Sequence, residues 1–296
     1  MQSKSNSSNQ TLHLNGRLLD LSRPRVMGII NATPDSFYSE SRRTSREEAL
    51  RAAENMIAEG ADLLDIGGYS SRNPLHYSSG RNRPGASEVT LEEELNRVLP
   101  VIESIHRAFP EVPLSVDTFR SQVAQSGLEA GACLVNDITA GLGDPQMFSI
   151  VGSQRAAMIL MHMRGTPATM GTLTSYENVT KEVATFLEAR IREAENAGIH
   201  EIIVDPGFGF AKTVDQNFEM LRNLSHFLIC GRPVLAGFSR KSMIWKTLGT
   251  DPSQALNGTT ALNMAALMKK AGILRVHDVK PAVECVRLFC HLENYP

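Results

Sequence analysis

A chain of 296 residues, 42% hydrophobic and 21% charged, has the composition of an ordinary soluble globular protein, and its formal charge of -2 leaves no basic excess to draw in nucleic acid or an anionic lipid surface. No run approaches the roughly 18 apolar residues of a membrane span. The four cysteines, Cys133, Cys230, Cys285 and Cys290, form neither a CxxC pair nor a zinc-type cluster, which reads as reduced thiols in a cytoplasmic protein.

In chain order, residues 1–10, MQSKSNSSNQ, lack the apolar core of a secretory signal and read as a disordered tail. Residues 11–24 follow, where TLHLNGRLLDL sets Asn15-Gly16 between two alternating apolar stretches. That is the strongest short hairpin signal, and the hairpin is expected outside the main core. From Arg25 to residue 296 one rhythm recurs eight times: a short apolar run, a polar or glycine break, then a stretch of helical periodicity. The strand candidates are RVMGIIN, ADLLDIGG, PLSVDT, CLVNDI, AAMILMH, EIIVDPG, PVLAGFS and ILRVHD. Helix-like segments between them include SREEALRAAENMIAEG, starting near Ser45, TLEEELNRVLPVIESIHRAF and NVTKEVATFLEARIREAENAG, with Gly60 and Gly198 as stops. Eight such units without GxGxxG or a Walker A sequence predict one closed (β/α)8 barrel, with the hairpin outside it.

The apolar runs end in Asn31, Gly67, Asp117, Asn136, His162, Asp205, Ser239 and His277. Strand interiors of a barrel are buried on both faces, whereas its C-terminal rim is the usual active-site mouth, so these ends would form one ring. The plainer reading is that each is a strand terminator or helix cap. Asp117, Asn136 and Asp205 offer acceptors, with amide donors from Asn136, and suit a fused heterocycle bearing an amino group and ring N–H groups, guanine-like or pterin-like. No simple metal cage emerges. Opposite charge gathers in the seventh and eighth strand units: Arg275 and His277 are two apart on one strand and share a face, and with Lys241 they could hold an anion such as pyrophosphate. Ser242 would cap the next helix, whose free N–H groups suit a carboxylate. The alternative for these cations is surface salt bridges to nearby helices. The stretch after Asn31 reads as a long loop over the mouth, in which Phe37 is either an anchor closing on a ligand or an aromatic packed on the rim.

Together MGIINATPDSF, LLDIGGYSSR, SVDTFR, NDI, LMHMRGTPATM, VDPGFGFAKT, GFSRKSM and LRVHDV closely resemble the dihydropteroate synthase family, in family order from Arg25 onward. The resemblance implies a TIM-barrel transferase of folate biosynthesis, the sulfonamide target, making 7,8-dihydropteroate and pyrophosphate from 6-hydroxymethyl-7,8-dihydropterin diphosphate and p-aminobenzoate. It implies a Mg2+ cofactor and a homodimer. By the same resemblance Asp117, Asn136, Asp205 and Lys241 match pterin-binding positions, and Arg275 the arginine stacked on the ring. Asn31 matches the residue at Mg2+ and diphosphate, and Arg275 with His277 the anion clamp. Ser71 and Arg72 match the second mobile loop, Ser242 the p-aminobenzoate carboxylate site, and Phe37 lines that site. Catalysis is then expected of Asp117, Asp205, Lys241, Arg275 and His277.

Two departures stand out. Where the family has GG, one variable residue, S, S or T, then RPG, this chain reads GGYSSR, then Asn73 to Arg83, and only then Pro84-Gly85. The added stretch repeats YSS and RN, as if by tandem duplication, and the first copy keeps Ser71 and Arg72 at family spacing from Asp65, although Arg83 could instead fill that place. In the first loop Ser39, followed by Glu40, stands where many family members have an acid. Rival readings are a methyltransferase barrel that passes a methyl group from methyltetrahydrofolate to a corrinoid protein, which would have little use for SRKSM, RVHDV or TPDSF, and a pterin-binding barrel without turnover.

Overall fold

The computed structural model describes residues 11–32, 39–69, 89–167 and 169–294, of which 39–45 by their backbone alone. Strands β1 (Thr11–Leu14) and β2 (Arg17–Asp20) pair antiparallel around Asn15 and Gly16, whose φ values of 50° and 82° are the left-handed conformations a two-residue hairpin turn demands. The other eight strands are parallel: β3 (Arg25–Asn31), β4 (Leu63–Gly67), β5 (Leu114–Asp117), β6 (Leu134–Asp137), β7 (Ala157–Met161), β8 (Ile202–Asp205), β9 (Leu235–Ala236) and β10 (Ile273–Val276). They neighbour one another in the order β8-β7-β6-β5-β4-β3-β10-β9, and a parallel bridge from Val204 to Val234 joins the two ends. This is the expected (β/α)8 barrel, with the hairpin as a separate sheet.

Nine helices are described: α1 (Ser39–Ala58), α2 (Leu91–Ala108), α3 (Ser121–Glu129), α4 (Met147–Ser153), α5 (Val179–Asn196), α6 (Val214–Arg222), α7 (Ser242–Thr247), α8 (Leu256–Met268) and α9 (Val279–Leu292). Helix α2 begins where Thr90 Oγ1 accepts the Glu93 N–H at 3.2 Å, with three glutamates in the first turn, and it buries Val98, Val101, Ile102 and Ile105 against the barrel. Gly60 and Gly198, at φ 101° and 87°, follow α1 and α5 as the sequence predicts. One boundary differs. Helix α1 starts at Ser39, six residues before the expected Ser45, because residues 39–44 hold no proline or glycine and extending a nucleated helix is far easier than starting one.

The strands divide their apolar side chains between two cores by the two-residue alternation of the pleat. Outward residues such as Ile30, Ile66, Val116 and Leu160 pack under the helices. Inward ones such as Met27, Leu63, Ile159, Ile203 and Ile273 fill the barrel floor, where Leu12, Leu14 and Leu19 of the hairpin join the same cluster. The hairpin thus lies outside the barrel wall yet closes its N-terminal end, leaving the polar strand ends at the opposite end.

Candidate active site

Above the apolar floor the inward positions turn polar. Registers pair Asp65 with Ser115, Gly67 with Asp117, and Asp117 with Asn136, so β4, β5 and β6 present acids and amides in adjoining layers. Asp65, Asn136 and Asp205 are 0%, 4% and 5% exposed. Buried polar groups need partners, and here the partners are chiefly one another.

Arg275 on β10 is the centre of the group. Its Nε donates to Asp65 Oδ2 at 2.6 Å and its Nη2 to Asp117 Oδ2 at 2.6 Å, while Asn136 Nδ2 donates to the same Asp65 oxygen at 2.9 Å. Gly67 makes room: a Cβ there would stand 3.3 Å from the Asp117 Cβ and 3.5 Å from its Oδ2. Burial pushes the Asp117 carboxyl up to about 7, with Arg275 opposing and Asp65 adding to the rise. Burial would lower the Arg275 guanidinium, but Asp65 and Asp117 outweigh it and hold its pKa above the ordinary value.

Across the mouth, Asp205 Oδ1 accepts the Gly207 N–H at 2.7 Å, and burial raises its pKa against the pull of Lys241. Lys241 reaches over from the turn before α7 to donate to the Phe208 carbonyl, with its ammonium 4.7 Å from the centre of the Phe210 ring. Burial lowers Lys241 to about 8, with Asp205 opposing. Beneath the same loop lies Lys212, 9% exposed, whose ammonium meets the Gly207 and Phe210 carbonyls at 3.0 and 2.9 Å and His162 Nδ1 at 3.0 Å. With Lys212 as donor, His162 accepts at Nδ1 and is neutral, in keeping with a pKa driven to about 2 by burial and then by Lys212 and Arg164. Burial brings Lys212 down to about 7.

The structure therefore brings together Asp117, Asn136, Asp205, Lys241 and Arg275, five residues expected at the pterin site. Expected on separate charge patches, Asp117 and Arg275 are instead bonded to each other. His277, just past β10, is held by Ser239 Oγ, which accepts its backbone N–H at 3.2 Å and lies 3.1 Å from its Nδ1. Asn31 is exposed at the end of β3. Ser242 does not cap α7 as expected: it is the first helical residue and Lys241 is the N-cap, without a side-chain cap bond, because the lysine side chain turns toward the pocket. The salt-bridge alternative holds for Arg240, which grips Asp278 with two bonds of 2.8 Å. His162, expected on the rim, packs edge-on against Phe186 at 4.9 Å instead of facing the mouth. Phe37, Ser71 and Arg72 lie outside the described residues, as does the repeat beyond Tyr69.

Sequence reading assigned no site role to Asp65 or Lys212. A carboxylate inside the apolar run LLDIGG, two residues below Gly67 in a strand buried on both faces, was the available signal for Asp65. Nothing local distinguishes Lys212. Among the described residues no group of three or more His, Cys, Asp or Glu side chains is placed to hold a metal ion.

Residues 27–277 match the family model described as pterin binding enzyme. Dihydropteroate synthase of Escherichia coli K12 is 41% identical over 279 residues, 94% of either chain. The Xanthomonas albilineans dihydropteroate synthase with 4-aminobenzoic acid is 40% identical and superimposes with a TM-score of 0.85 over 97% of this chain and 99% of its own. The enzyme from the same organism in complex with 7,8-dihydropteroate gives 0.83 at 38% identity, covering 97% of this chain and 100% of its own. With the barrel, its polar mouth and these likenesses in agreement, the chain belongs to the dihydropteroate synthase family of pterin-binding enzymes, transferases of folate biosynthesis.

Proposed function

We propose that this chain joins the methylene carbon of 6-hydroxymethyl-7,8-dihydropterin diphosphate to the amino nitrogen of p-aminobenzoate, releasing pyrophosphate, and that the Asp117, Asn136, Asp205, Lys241 and Arg275 cluster is where the pterin sits. The observation that carries this is the density of hydrogen-bonding groups in a largely buried mouth: the carboxylates of Asp65, Asp117 and Asp205, the Asn136 amide and the Arg275 guanidinium on neighbouring strands, with the Lys241 ammonium reaching in from the turn before α7. Carboxylates answer the ring N–H and amino donors of a pterin, and the Asn136 amide and Lys241 answer its acceptors.

The costly event is separating a pterin-stabilised cation from diphosphate. Asp117 and Asp205 would favour the positive carbon, while Arg275, once the ring has taken Asp117, and His277 would offset charge on the negative leaving group. An arylamine is already nucleophilic at neutral pH, so the chain need supply no strong base; holding the amine in line and excluding water suffices. Phe37, Ser71, Arg72 and Ser242 are proposed for that half of the site. Mg2+ fits the donor set: an exposed amide at Asn31, with no cage of acidic or imidazole ligands among the described residues, suits an ion that takes most of its oxygens from substrate phosphates and water. Bound there, it would offset charge on the diphosphate. We further propose a cytoplasmic homodimer. Support for the pairing comes from Leu256 and Met268 on α8 and Leu288 and Leu292 on the adjoining α9, all at least 36% exposed, and for the compartment from four free cysteines.

Pyrophosphate release from the pterin diphosphate with Mg2+, with and without p-aminobenzoate, tests the reading. Release that depends on the arylamine, and that falls at least tenfold in Arg72→Ala but not in Arg81→Ala, is the expected result and places the working loop in the first repeat. Tight pterin binding without release would leave a binding protein.

A further inference from the structure

Asp65 is completely buried, yet the described structure uses only one of its two oxygens. Oδ2 takes both Arg275 Nε and Asn136 Nδ2, while Oδ1 has no hydrogen-bond partner. A lone carboxylate in such a place is costly to bury, and what compensates it is the guanidinium it holds. That guanidinium is divided between two acids at different depths: Nε goes to Asp65 below, and Nη2 to Asp117, 23% exposed, at the mouth. An arginine facing a single carboxylate favours a two-pronged grip, the geometry Arg240 adopts on Asp278 in this same chain. Asp65 denies Arg275 that geometry on Asp117.

We propose that Asp65 is a positioning residue that acts through Arg275: by anchoring Nε it keeps Arg275 on Asp117 by one nitrogen only, so that an incoming ring can take Asp117 while the guanidinium swings its Nη end toward the leaving group without losing its anchor. The same Asp65 oxygen fixes the Asn136 amide, so one buried acid sets the pose of two groups around the ring. This rests on the pterin-site reading above. Other charges facing Asp117 are Glu94 from α2 and Asp137 from β6, and Lys241 lies within its electrostatic reach. None of them is bonded to Arg275 among the described residues.

The test is a double-mutant cycle on the full chain, read as the dissociation constant for 6-hydroxymethyl-7,8-dihydropterin diphosphate, with melting temperature checked for each variant. Asp65→Asn keeps the shape and removes the anchor's charge. It is expected to weaken binding at least tenfold in the parent and no more than about threefold in an Arg275→Gln background, where only the Asn136 amide still depends on it, with the KM for p-aminobenzoate unchanged within twofold. It should also move the acid limb of pterin binding to lower pH, since Asp117 gains the whole guanidinium and loses a like charge. Equal penalties in both backgrounds would overturn the proposal, since they would show that Asp65 acts independently of Arg275. If Asp65→Asn fails to fold, Asp65→Glu decides: it keeps the charge but moves the anchor by one methylene, so a loss of at least tenfold in the parent that largely vanishes in the Arg275→Gln background is expected, and equal penalties in both backgrounds would overturn the proposal. Failure of the pterin assignment itself looks different: the parent would not bind the pterin diphosphate, or Arg275→Gln would bind it as tightly as the parent.

Discussion

Lys241 and Asp117 show how burial sets the working range of single residues. The Lys241 ammonium is charged below about 8 and the Asp117 carboxylate above about 7, each displaced chiefly by burial. Pterin recognition needs both ions, so affinity should peak between these values, falling below about 7 as Asp117 takes up a proton and above about 8 as Lys241 gives one up. Titration of pterin binding from pH 5.5 to 9.5 (about four units, spanning both limbs) checks this. Lys241→Met should lose at least tenfold in pterin affinity with little change in melting temperature; a flat alkaline limb in the parent would contradict the assignment. Asp65 and Arg275 were both visible as charges in strand runs, but residues 210 positions apart meet only when the sheet closes.

At the scale of an element, the turn from β8 into α6 is held from two sides. Lys241 takes the Phe208 carbonyl from the mouth, and Lys212 takes the Gly207 and Phe210 carbonyls from beneath. Glycine is required at 207, where φ is 74° and a Cβ would come within 2.0 Å of the His162 carbonyl oxygen. Lys212→Met would strand two carbonyls and the His162 Nδ1, a cost of about 1–3 kcal/mol by the usual penalty for an unmet buried bond. It should also weaken pterin binding severalfold, because the same turn carries the Phe208 carbonyl that holds Lys241. The sign of its pH effect follows from the lowered pKa. Between about 7 and the ordinary lysine value of 10.5 the unfolded chain binds more protons at this lysine than the folded one, so its contribution to stability rises with pH across that window. The variant should show a smaller gain in melting temperature between pH 7 and 9 than the parent. The stems of the repeated loop are held in a comparable way: Arg97 Nη1 donates to the Gly68 carbonyl at 2.9 Å, and Arg120, paired with the buried Glu94, donates to the Val89 carbonyl at 2.7 Å beside the Tyr69 ring. These bonds flank residues 70–88 on either side, and β4 and β5 keep a continuous parallel register next to them.

For the whole molecule, the hairpin and the mouth are the two ends of one cylinder. Leu12, Leu14 and Leu19 seal the floor, and Leu14, 1% exposed, is the residue to test. Leu14→Ala should cost about 3 kcal/mol, in the range for a buried leucine, lowering the denaturant midpoint while leaving the pterin dissociation constant within twofold. A large loss of affinity at full foldedness would mean that floor and mouth are coupled. Local signals sufficed for much of this architecture: the Asn-Gly turn, eight apolar runs, the glycine stops and the polar strand ends are written in neighbouring residues, because backbone conformation and the two-residue and 3.6-residue periods are local properties. The strand ends also placed Asp117, Asn136 and Asp205 at the mouth before any contact was known. What local signals could not reach is pairing. Whether Arg275 faces an anion or two acids, whether Ser242 caps a helix, whether His162 looks into the barrel or toward Phe186, and that Lys212 is buried at all depend on which distant groups burial brings within bonding distance. Desolvation makes those meetings obligatory for the folded chain, and only the closed barrel decides who meets whom.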